Sequence, residues 1–249
     1  MSASAKAIPN EFKTAGLASS WQRLCQLGGI IALVMLGYSL ATMLLMVAFG
    51  GQPATAQAAY AMLQANRLVG FLRLDGLTIL VMPLYFLLFF SLYTVLKHKD
   101  AIFAGLASLL VFAGLTLFLA TPSAFSWLAL SDKFATATDN SMKAQLLAAG
   151  EAVLASDLWH GSGAILGGIL LQTGALVISL VMLGSPAFGK LTAWLGIVMF
   201  GLDLAHLLVM FFFPADGVIL MAVAGTLYLA WFPLLARDFF RLAKKNSEA

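Results

Sequence analysis

The sequence predicts an all-α protein: a six-helix transmembrane bundle with both termini in the cytoplasm and an amphipathic interfacial helix in its long outer loop. Three observations carry that prediction. Of 249 residues, 61% are hydrophobic and only 10% charged, against roughly 45–50% and about 25% in a soluble domain. So little charge does not coat a water-facing surface, which excludes a soluble enzyme, a disordered chain and a nucleic-acid binder. Six apolar stretches each hold the roughly 20 residues a helix needs to cross a hydrocarbon core about 30 Å thick. Basic residues, finally, are distributed unevenly around those stretches.

The stretches cover residues 24–49, 68–96, 101–120, 159–183, 191–213 and 217–236, within a single integral membrane domain spanning 1–249. The first is too long for the apolar part of a signal peptide and reads as a retained span. Lys6, Lys13, Arg23, Lys97, Lys99, Lys190, Arg237, Arg241, Lys244 and Lys245 fall on one side, and only Arg67, Arg73, Lys133 and Lys143 on the other. The positive-inside rule places the first side in the cytoplasm, and an even number of spans returns both termini there. The net charge of +3 is therefore topology signal, with no nucleic acid implied. Cys25 is the sole cysteine; it excludes an intrachain disulfide and reads as a small apolar filler. Trp21, Trp127, Trp159, Trp194 and Trp231 fall near span ends, as interfacial belts require.

Two loops are long, and both are outer ones. Residues 50–67 contain Gly51-Gln52-Pro53 and then an Ala/Met/Leu-rich stretch that reads as a surface helix. Residues 121–158 open with Pro122, and Asp139 or Asn140 is placed to cap a helix running to about residue 156. Met142, Leu146, Ala149 and Val153 would form its apolar stripe, with Lys143, Gln145 and Glu151 facing elsewhere. Such a helix lies in the interface plane or covers the outer mouth of the bundle. Pro83, Pro214 and Pro233 each remove a backbone donor and predict local kinks.

Residues 130–135 (Leu-Ser-Asp-Lys-Phe-Ala) and 144–152 (Ala-Gln-Leu-Leu-Ala-Ala-Gly-Glu-Ala) resemble the outer loop of a family of multi-pass bacterial membrane proteins known only as a domain of unknown function. The span count, the length and the Arg-Asp-Phe-Phe-Arg ending at 237–241 are similar too. The resemblance implies a bacterial inner-membrane protein and brings no activity, cofactor or catalytic residue with it.

A charged side chain at mid-bilayer costs between about 2.5 and more than 10 kcal/mol, so such groups face the bundle interior and mark candidate sites. Within the spans these are Arg73, Asp75, His160, Asp203 and His206. At ~1.5 Å of rise per residue, all five fall in the outer half. Asp203 and His206, spaced i, i+3, share a helix face and can pair. Arg73 and Asp75, spaced i, i+2, are expected to point apart, Arg73 snorkelling to the outer headgroups. Span four opens with Trp159-His160-Gly161-Ser162-Gly163, in which Gly163 and Gly167 form a small-residue packing motif. A sharper reading makes Ser162 a nucleophile with His160 or His206 as base.

Three functions fit these residues. In the first, Asp75, His160, Asp203, His206 and Arg73 line an outer pocket for a small molecule, a cation or a lipid headgroup. In the second, the same polar groups pair with one another in a structural or accessory subunit. In the third, a membrane-embedded hydrolase uses Ser162 with histidine, or a divalent metal held by His160, His206 and Asp203. A haem between His160 and His206 fits the residue types less well. The lipid bilayer is the expected partner, and a homo- or hetero-oligomer is compatible with such a bundle.

Overall fold

The computed structural model describes residues 10–245 apart from 122, 159 and 211, so Lys6, Pro122 and Trp159 lie outside the described residues. It is helical throughout, with no strand among the described residues. Six of its helical runs are long and apolar enough to cross a membrane: Ser19–Phe49, Arg67–Leu96, Ala101–Thr136, Ser162–Leu183, Lys190–Val209 and Asp216–Lys244. Around them, the bundle exterior is greasy; Val47, Ile102 and Leu109 are 77%, 78% and 67% exposed. Continuous apolar surface of that kind needs a non-aqueous neighbour.

The first span is α1 (Asn10–Phe49), which begins well before the apolar run because polar turns continue the helix past it. Short helices α2 (Ala56–Ala65) and α3 (Arg67–Phe71) follow. A widened turn at Leu72–Gly76 then leads into α4 (Leu77–Val81) and α5 (Leu84–Leu96), so span two is broken twice. The second break is at Pro83, as its missing N–H predicts. The third and fourth spans are α6 (Ala101–Leu119) and α9 (Ser162–Leu183), separated by α7 (Ala124–Thr136) and α8 (Asn140–Leu154). The last two are α10 (Lys190–Val209) and α11 (Pro214–Lys245); α11 starts at Pro214 and continues through Pro233 without ending there.

Neighbour contacts close the spans into a ring in the order α1, α11, α10, α9, α6, α5 and back to α1. The tightest seam is between α6 and α9. A Cβ added at Gly167 would lie 2.7 Å from the Gly114 carbonyl oxygen, and one at Gly174 would lie 2.5 Å from that of Ala107. Only bare backbone fits, the small-residue logic of membrane helix pairs. Phe89, Leu92, Val111, Phe200 and Trp231 fill the ring's interior. Trp231 is fully buried and donates its Nε1–H to the Thr192 carbonyl at 3.1 Å, which corrects its assignment to an interfacial belt.

Helices α2, α7 and α8 gather over one end of the ring as a cap with its own small core of Ala56, Tyr60, Leu63, Leu74 and Trp127. The cap corrects two expectations. Helix α7 stands where a loop was read, and Trp127 is 1% exposed inside the cap instead of lying in a belt. Asp139 caps α8 as expected, accepting from Met142 N–H at 3.2 Å. The buried face of α8, however, is Leu146 and Gly150, while Met142 and Ala149 are exposed. The reason is the close fit against Tyr60, whose hydroxyl donates to the Leu146 carbonyl at 2.7 Å. Burial, with the nearby Glu151 carboxylate, pushes the Tyr60 pKa up. Glu151 Oε1 accepts from Ala56 N–H at 2.8 Å, so α8 helps cap the N-terminus of α2. Arg67 donates to both Asp132 oxygens, at 2.5 and 2.9 Å, tying α3 to α7 on the surface.

The opposite end is clamped by Asp238, which is fully buried. Its Oδ2 accepts from Thr192 Oγ1–H at 2.6 Å and from Gly189 N–H at 2.8 Å. Arg237 and Arg241 lie 3.4 and 3.5 Å from Oδ1.

Candidate functional site

The site begins with the irregular backbone of span two. In the widened turn Leu74 sits at φ −89°, ψ 59° and Asp75 at φ 69°, ψ −2°, the left-handed region. Asp tolerates that region better than most residues, and single widened turns often mark functional positions. One consequence overturns a sequence-based expectation. In a regular helix Arg73 and Asp75 point apart, but this turn aims both at a single cavity of about 290 Å³ beneath the cap.

Arg73 is 6% exposed and does not snorkel. Its guanidinium donates to the carbonyls of Phe49 at 2.8 Å, Gly50 at 2.5 Å and Gly51. A helix C-terminus presents unpaired carbonyls and a partial negative charge, and Arg73 answers both for α1. Gln52 Nε2 donates to the backbone carbonyl of Arg73 at 3.4 Å and also lines the cavity. Asp75, 8% exposed, accepts from the backbone N–H of Ser123 at the start of α7.

Asp203 and His206 line the same cavity from α10. Among the described residues no hydrogen bond joins them, contrary to the pairing their spacing predicts. Asp203 Oδ2 accepts instead from the Tyr228 hydroxyl at 2.6 Å and from Gln172 Nε2 at 3.3 Å. His206 Nδ1 lies 3.1 Å from the Gly217 carbonyl. A carbonyl only accepts, so Nδ1 carries a proton, and in the neutral tautomer with that arrangement Nε2 is the acceptor. Longer-range partners on α9 and α11 win over the neighbour one turn away.

His160 does not join the cavity. It stands in the loop before α9, its side chain 59% exposed and its Nδ1 2.9 Å from Asp157 Oδ1. The proposed metal set of His160, His206 and Asp203 is therefore not assembled. Among the described residues no three His, Cys, Asp or Glu side chains converge. Ser162 is exposed in the first turn of α9 and hydrogen-bonds neither histidine among the described residues. The loop folds back on Asp157, whose backbone and carboxylate hold His160 locally.

Several polar groups at the site escaped a search confined to charged residues and histidine. Gln172 lines the cavity from mid-α9, and its Oε1 is buried without a hydrogen-bond partner. Tyr38 and Thr78 share a hydrogen bond of 3.1 Å across α1 and α4 and line it too. An amide in the middle of an apolar span was the signal available for Gln172. The remaining wall is apolar and flexible, including Met46, Met210, Met221, Leu207 and Phe118. Compared with protein-family models, with curated proteins and with solved structures, the chain matches none of them.

Proposed function

We propose that the chain is a bacterial inner-membrane protein with both termini in the cytoplasm, and that its cavity binds a small molecule, a cation or a lipid headgroup from the outer side. One observation carries the reading: Arg73, Asp75, Asp203 and His206, drawn from two different spans, all line one space of about 290 Å³ that no side chain fills. Polar groups are costly in a membrane interior, and collecting them around a void serves no packing purpose. In this reading α8 lies at the membrane surface, and the cap meets the cavity wall where Asp75 accepts from Ser123 N–H.

The test is a co-purification experiment. Protein extracted in mild detergent is examined by native mass spectrometry beside a Thr42→Phe variant, which fills the cavity from α1. A small molecule held by the natural protein and absent from the variant supports the reading; identical spectra from both, with no adduct, oppose it. A reporter fused to the C-terminus checks the orientation.

The structural alternative is favoured by a different observation: Arg73, Asp203 and His206 each have an internal hydrogen-bond partner. Under it, His206→Ala lowers the melting temperature and leaves the adduct unchanged.

A further inference from the structure

We propose that the occupant of the cavity is an alkylammonium: a protonated amine carrying a short aliphatic arm. This rests on the reading of the cavity as a binding site and narrows it to one ligand chemistry. Four donor groups at or beside the cavity are each engaged in a hydrogen bond. The Arg73 guanidinium is committed to the carbonyls of Phe49, Gly50 and Gly51, Gln172 Nε2 to Asp203, Tyr228 to Asp203, and His206 Nδ1–H to Gly217.

Acceptors are left over. Both donors that reach Asp203 bind the same oxygen, Oδ2, so among the described residues Oδ1 accepts from none. Gln172 Oε1 is buried with no partner. In its neutral tautomer with Nδ1 as donor, His206 has a further acceptor at Nε2. A buried acceptor without a donor costs about 1–3 kcal/mol, and an ammonium brings several N–H groups and no acceptor to such a site.

The lining holds two carboxyl groups, Asp75 and Asp203, and one guanidinium, Arg73. The charges also lie at different depths. Arg73 grips the last turn of α1 at the rim, whereas Gln172 lies ten residues into α9 and Asp203 six residues from the end of α10, roughly 15 Å and 9 Å inward. An ammonium at the deep acceptors is thus set apart from the guanidinium. Met46, Met210, Met221 and Leu207 supply the apolar wall for the arm, and methionines adapt to its shape.

The experiment titrates hexylammonium, hexanol and hexanoate, at neutral pH, into the natural protein held in lipid nanodiscs. Empty nanodiscs subtract partition into lipid, and heat is the readout. The expected result is saturable binding of hexylammonium alone. Asp203→Asn should weaken it about tenfold, the scale of one charge-assisted hydrogen bond. Gln172→Met, which removes the unpartnered oxygen and keeps the volume, should weaken it several-fold and serves if Asp203→Asn does not fold. Hexanol binding as well as hexylammonium, or hexanoate binding better, overturns the amine assignment while the cavity still stands as a binding site. Hexylammonium binding that neither variant weakens also overturns it. Saturable binding of none of the three by folded protein overturns both.

Discussion

Two aspartates, Asp238 buried near one end of the bundle and Asp203 half-buried within it, show how the same side chain is paired in different ways. Asp238 is enclosed on every side. Its Oδ2 takes two hydrogen bonds, from Thr192 and Gly189, while two arginines approach Oδ1. It links the α9–α10 connection to α11 and leaves nothing over. Asp203 receives two donors on a single oxygen and turns the other toward an open space. A saturated acid is a clamp; an unsaturated one beside a void keeps an acceptor for a further donor. What separates them is how many donors the fold delivers, which residue type alone does not reveal.

That contrast is open to attack, most strongly at the clamp. Asp238→Ala should lower stability by about 2–4 kcal/mol, because it strands two buried donors, Thr192 Oγ1–H and Gly189 N–H. Thermal unfolding in detergent measures it, and a loss below about 1 kcal/mol would erase the distinction. Next comes the α6–α9 seam. Gly167→Ala pushes a methyl into the backbone of Gly114 and Phe118 and should cost about 1–3 kcal/mol by the same assay. Asp203→Asn should cost less than either, about 1 kcal/mol, since an amide oxygen still accepts from Tyr228. A loss as large as that of Asp238→Ala would make Asp203 a second clamp.

Smaller still is the effect of backbone strain at Asp75. Relative to Asp75→Ala, Asp75→Gly should be more stable by about 1 kcal/mol, because only glycine holds a positive φ without penalty. Equal stabilities would mean that the left-handed turn is not strained. The smallest change is expected from exchanging Arg67 and Asp132. Both side chains are more than half exposed, and surface ion pairs contribute little. A shift in melting temperature larger than the reproducibility of the scan would show that the cap depends on this pair.

Much of the architecture was legible because lipid imposes a coarse rule: about twenty apolar residues make a span. All six spans follow from it, and Pro83 announces its own break. Helix α7 escaped because Pro122 and the polar residues Ser131, Asp132 and Lys133 read as loop, whereas its buried face is only Ala124, Trp127 and Ser131. Trp127 and Trp231 escaped for a related reason, since position along a span does not distinguish the lipid-facing side from the inward one. At the site, Asp75, Asp203, His206 and Arg73 stood out as polar groups in apolar text, and the structure places all four around one cavity. His160 stood out equally and lies elsewhere, held by Asp157, which was itself passed over as part of a loop. Partner choice is a long-range property: Gln172 meets Asp203 from 31 positions away and Tyr228 from 25. No spacing rule within one helix anticipates that.

The glycine seam between α6 and α9 has a mechanical consequence. Where Gly167 faces Gly114 and Gly174 faces Ala107 the two backbones all but touch, so sliding one helix past the other forces a collision. Elsewhere in the ring, span two is broken at residues 72–76 and at Pro83 and has no such constraint. A locked seam and a jointed span thus share one bundle, and Asp75 sits in the joint.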